Sequence, residues 1–74
     1  MQSLLAFIVE SLVDDPDAVQ ITEGDRRGDP VLRVSVAEAD RGTIIGRQGK
    51  TIRAIETVLA AASPGAAPAI EVAD

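Results

Sequence analysis

The residues of this chain whose types and spacing can do chemistry are Gly46-Arg47-Gln48-Gly49 and the cations around them, Arg41, Lys50 and Arg53. That chemistry is the capture of an anion. Glycine at both ends of the turn allows positive φ and lets another chain approach with no Cβ in the way. Arg47 and Gln48, between them, are polar and must point outward. A helix begins directly behind the turn, so its free N–H groups and positive dipole end favour a phosphate. Lys50 and Arg53 lie about 60° apart on that helix and away from its apolar arc. Backbone amides, a dipole and four cations thus converge on one edge.

The rest of the composition excludes most other chemistry. The chain has 74 residues, with no Cys and no His. Disulfides, thiolate metal sites and nucleophile–imidazole pairs are therefore ruled out, and a zinc site would have to rest on carboxylates alone. A single domain of this size buries only about 60% of its unfolded surface, which leaves little for a deep catalytic pocket. Net charge is −5, which by itself argues against a polyanion. Its distribution argues the opposite way. Between Arg41 and Ile55 the chain carries four bases and no acid, while the remainder holds three bases and twelve acids. Such polarity focuses a polyanion on one patch, unless acids from elsewhere fold back to neutralise it. The apolar run Leu4 to Val9 is too short to span a bilayer, is interrupted by Glu10 and has no basic residue before it. A cytoplasmic protein without a membrane segment is expected.

The elements that must position the turn follow from periodicity. Leu4, Leu5, Ile8, Val9, Leu12 and Val13 share one arc at about 100° per residue, which predicts a helix capped by Ser3 and ended at Asp15-Pro16. Phe7 falls on its far side, among Ser3, Glu10 and Ser11. Val19 and Ile21 alternate with polar residues as a strand, and 24–30 has the turn chemistry of a hairpin loop. Leu32, Val34 and Val36 form the inward side of a second strand. A short helix is expected over 38–45. A longer one runs from Lys50 to Ala62, with Ile52, Ile55, Val58, Leu59 and Ala62 inward, and ends at Ser63-Pro64-Gly65. Residues 66–68 read as a connector, and Ala69 to Val72 as a last strand. The order α-β-β-α-α-β predicts an α+β domain with helices packed on one face of a three-stranded sheet.

Ile45-Gly46-x-x-Gly49-x-x-Ile52 is similar to the Ile-Gly-x-x-Gly-x-x-Ile signature of KH domains, and the element order looks like their bacterial type II arrangement. With the helix ending Ser11-Leu12-Val13-Asp14-Asp15-Pro16 and the strand ending at Val36, the chain resembles the small stand-alone bacterial KH proteins of the KhpA family. The resemblance implies a non-catalytic protein that clamps the backbone of about four nucleotides of single-stranded RNA in the Gly46–Gly49 loop. The bases would lie on an apolar strip to which Ile45, and with it Ile44, contributes. RNA contacts are then expected from Arg41, Ile45, Gly46, Arg47, Gln48, Gly49, Lys50 and Arg53, with no cofactor and no metal. It also implies a homodimer, or a heterodimer with a larger KhpB-like KH protein. The alternative is a degenerate KH scaffold that works mainly through such dimerisation. This chain departs from the family at Glu56, where a base is common. Three residues after Arg53, Glu56 can pair with it and reduce the field that RNA meets.

Other motifs are weaker. Gly49-Lys50-Thr51 resembles the end of a nucleotide-hydrolase loop, but the first glycine of that loop would have to stand at Ile44. Asp14, Asp15 and Asp17 lack the glycine and closing Glu of a calcium loop and read as a helix-ending turn. Arg26 and Arg27, flanked by Asp25 and Asp29, read as solvated loop charges. Phe7 is the single aromatic, so base stacking on an aromatic sheet is excluded.

Overall fold

A computed structural model describes residues 2–65 and 67–73. Helix α1 spans Gln2–Leu12, strand β1 Gln20–Arg26, strand β2 Asp29–Ser35, helix α2 Arg41–Ile45, helix α3 Lys50–Ala62 and strand β3 Ala69–Val72. Single 3-10 turns at Pro16–Ala18, Glu38–Asp40 and Arg47–Gly49 join them. The α-β-β-α-α-β order is the one the sequence predicts, and the limits of α3 and β3 match it. Ala66, read as part of the connector, lies outside the described residues.

β2 is the central strand, antiparallel to β1 and parallel to β3, with Val34 opposite both Ile21 and Val72. The parallel pairing requires a crossover from one end of the sheet to the other, and α2 with α3 supplies it. The pleat sends Leu32 and Val34 to the helical side, where they join Leu5, Val9, Val13, Ile44, Ile55 and Leu59 in the core. Ile21, Ile70 and Val72 pack against the margin of that core. On the opposite side of the sheet Glu71 accepts from Arg26 Nη2 at 2.6 Å and from Arg33 Nε at 3.0 Å. These two hydrogen bonds hold the Glu71 carboxyl below its ordinary pKa.

Four local expectations need correction. α1 starts at Gln2, so Ser3 lies inside its first turn and caps nothing. The 24–30 loop is mostly strand: β1 continues to Arg26 and the connection is only Arg27-Gly28, with φ of 53° and 88°. Two residues of positive φ match the right-handed twist of a hairpin, which is why so short a connection suffices. Arg26 is therefore a strand residue tied to Glu71, not a free loop charge. Finally, Leu12 and Val58 are 42% and 49% exposed, and Ala62 is exposed too. The buried stripe of α1 runs through Leu5, Val9 and Val13, and that of α3 through Ile55 and Leu59. Leu12 and Val58 sit at the rims of those stripes.

Candidate functional site

The site begins with a helix too short to hold itself in place. α2 has five residues, and one such turn is unstable alone. Ile44, fully buried, pins it to the core, while its neighbour Ile45 is 37% exposed beside the turn. Ile44 therefore cannot contribute to an apolar strip for bases, contrary to the expectation for it. Only Ile45 is available there, because adjacent helical residues point about 100° apart.

The chain then turns sharply. Gly46 takes φ 76° and ψ 170°, Gln48 φ 58° and ψ 26°, and Gly49 φ 75° and ψ 16°. The Gly49 N–H donates to the Gly46 carbonyl at 3.1 Å and closes the loop. Gly46 and Gly49 have the positive φ expected of them, and Gln48 shares it. A side chain in that region costs about 1 kcal/mol or more and is held there by the surrounding turn. Arg47 and Gln48 are both exposed, as their position between the glycines requires.

α3 starts at Lys50 with Gly49 as its N-cap, and no side chain caps it. The Lys50 N–H donates to the Arg47 carbonyl, and no side chain takes up the N–H groups that follow it. Lys50 and Arg53 are exposed. Arg53 Nη1 lies 3.8 Å from where a Cβ on Gly49 would be, so the guanidinium stands at the mouth of the loop. Arg41, the first residue of α2, is half-buried, and its Nε is buried without a hydrogen-bond partner.

Electrostatics separates the cations into two sets. Among the described residues, the ion pairs join Glu71 to Arg26 and Arg33 on the outer side of the sheet. Arg41, Arg47, Lys50 and Arg53 form none with the described residues, so no acid among those residues neutralises them by direct pairing. The expected Arg53–Glu56 pair is also absent. Arg53 turns toward Gly49, whereas Glu56 lies half-buried on the flank of α3 next to the core stripe. Asp14, Asp15 and Asp17 belong to no group that could hold a metal ion among the described residues.

Two residues at the site were not singled out in the sequence. Thr51 packs its side chain against Gly46, which fixes the distance between the turn and α3. Asp40 is the buried polar side chain among the described residues, 4% exposed, and accepts hydrogen bonds from the backbone of Asp14 and Asp15. The sequence reads it inside the 38–45 helix, whereas it stands at the start of α2. Nothing local signals a partner about 25 residues away.

Comparison with known proteins agrees with this geometry. The family model described as KhpA/KhpB, KH domain, matches residues 2–67. The chain is 44% identical over 63 residues to the RNA-binding protein KhpA of Clostridium acetobutylicum, covering 85% of this chain and 84% of that one. It is 44% identical over 59 residues to the RNA-binding protein KhpA of Chlamydia pneumoniae, covering 80% and 76%. With the RNA-binding protein KhpA of Streptomyces coelicolor it shares 41% over 61 residues, covering 82% and 77%. No solved structure matches the chain. The order of elements, the mixed three-stranded sheet and the match across nearly the whole chain establish a type II KH domain, and the protein belongs to the KhpA/KhpB family.

Proposed function

We propose that this protein binds short single-stranded RNA without catalysis, clamping its backbone in the Gly46–Gly49 loop. The observation that carries this reading is a positive-φ turn at a helix start without a side-chain cap, with Arg47, Lys50 and Arg53 exposed on it and unpaired among the described residues. Gly46 and Gly49 let the phosphates approach the backbone, and Arg47, Lys50 and Arg53 supply charge at the approach. Arg41 adds charge from the start of α2. Gln48 offers an amide to the sugar-phosphate chain, and Ile45 a patch for one base. The relatives bear the name RNA-binding protein, which fits this arrangement. No helix of the described residues is long and apolar enough to cross a membrane, and the RNA reading places the protein in the cytoplasm.

The decisive experiment replaces Arg47 and Gln48 together by Asp. Both side chains are exposed, so the fold should persist. Asp is also tolerated at positive φ better than most residues. Two carboxylates on a phosphate path should abolish binding to a labelled single-stranded RNA at moderate salt. Binding equal to wild type would show that the loop is not the clamp.

One observation favours a second role in assembly. Phe7 is 69% exposed on the far side of α1, and aromatics are enriched where chains meet. The same face can serve a homodimer or a heterodimer with a larger KhpB-like KH protein. In the scaffold reading that contact is the main activity and RNA is secondary.

A further inference from the structure

We infer that Asp40 is the positioning residue of the clamp, holding α2 at the angle that opens the Gly46–Gly49 loop to RNA. The inference rests on the RNA-binding reading above. Asp40 stands at the N-cap of α2, where an Asp ordinarily accepts from the first N–H groups of its own helix. Here it makes no such bond. Its carboxylate turns instead to the chain that leaves α1. Oδ1 accepts the Asp14 N–H and Oδ2 accepts the Asp15 N–H, each at 3.1 Å.

The arrangement is costly in itself. A carboxylate that is 4% exposed loses most of its hydration, and the residues giving it their N–H groups are themselves acidic. Their side chains escape to solvent, since Asp14 and Asp15 are both exposed. What remains is a two-pronged link between the end of one helix and the start of another. Only a carboxylate supplies two acceptors with no donor. An asparagine would turn an NH2 group toward a backbone N–H.

That link matters to the loop because the other contacts that seat α2, Ile44 in the core and Gly46 against Thr51, both lie toward its C-terminal end. Ile44 fixes the helix at a point in the core. A short rod held only toward one end can still swivel, whereas an attachment at its start fixes its direction. From Asp40 to Gly46 the rise is only about 9 Å, so a change of angle at Asp40 alters how α2 enters the turn at Gly46. Arg41 depends on the same link. Its Nε is buried without a hydrogen bond, so packing alone sets where its guanidinium lies.

The test compares wild type, D40N and a core variant on β3, Ile70→Ala, for affinity to one labelled single-stranded RNA of mixed sequence. Urea midpoints give the folded fraction, and affinities are expressed per folded molecule. Asp40→Asn should weaken RNA binding about tenfold, with the Gly46 and Gly49 amide resonances displaced, while Ile70→Ala leaves both at their wild-type values. If D40N is partly unfolded, all three titrations are repeated in sucrose, which favours the compact state. A folded D40N that binds as wild type, with unmoved Gly46 and Gly49 resonances, would overturn the inference and leave Asp40 a purely structural residue. Should wild type itself bind no RNA, the proposed function falls separately. The amide resonances would then still decide whether Asp40 sets the loop.

Discussion

The side chain of Thr51 lies against Gly46 so closely that a Cβ at position 46 would stand 2.7 Å from both the Thr51 Cβ and its backbone nitrogen. Nothing comparable constrains Gly49, where the nearest atoms to an added Cβ are 3.8 Å away. Both glycines have positive φ, yet only one is also packed shut. Gly46→Ala should therefore cost about 2–4 kcal/mol, since strain and a backbone clash add together. Gly49→Ala should cost about 1 kcal/mol, from conformation alone. Urea unfolding of the two variants measures the difference, and equal losses would contradict it.

Arg53 and Glu56 are close in sequence but make no ion pair. Arg53→Gln should lower the salt dependence of RNA binding by about one phosphate equivalent. Glu56→Gln should leave that slope unchanged, because no counterion of Arg53 is removed. Titrations at several salt concentrations separate the two. A steeper slope for Glu56→Gln would mean that Glu56 does screen the track.

Glu71 accepts from Arg26 and Arg33 and has a lowered pKa in the folded protein. A group whose pKa falls on folding contributes stability above its unfolded value, and that contribution fades as pH drops through the folded value. Wild type should thus exceed Glu71→Gln in stability at neutral pH. The gap should close as pH falls below the ordinary value of 4.5. Urea midpoints at neutral and acidic pH give the comparison, and a gap that widens in acid would reverse the assignment. RNA affinity should not respond, since Glu71 lies on the outer side of the sheet.

Phe7 offers a test of assembly independent of RNA. Phe7→Glu should leave the circular dichroism spectrum intact, because the side chain is 69% exposed. Sedimentation should then show weaker self-association, or weaker capture by a purified KhpB-like partner. Unchanged association in both measurements would leave Phe7 a bystander.

The sequence by itself determined the order of elements, the centre of each inward stripe (Leu5, Val9 and Val13 in α1, Ile55 and Leu59 in α3), and the turn at Gly46–Gly49. These rest on local rules: the helical and strand periods, the breaking effect of proline, and the freedom of glycine. It also placed Phe7 outside the core, because a helical arc has only one inward side. Tertiary structure decided the rest. Whether Leu12 and Val58 are covered depends on how the helices pack against the rest of the fold, and here both stay exposed. Glu56 could reach Arg53, but Arg53 turns to the open space that Gly49 leaves. Ile44 and Ile45 read alike as apolar neighbours, and only the seat of α2 separates core from surface. Asp40 shows the division most plainly. The sequence reads it as part of the 38–45 helix, but it stands before α2 and the N–H groups it accepts belong to Asp14 and Asp15. No local rule can foresee them, because the fold alone brings those groups within 3.1 Å.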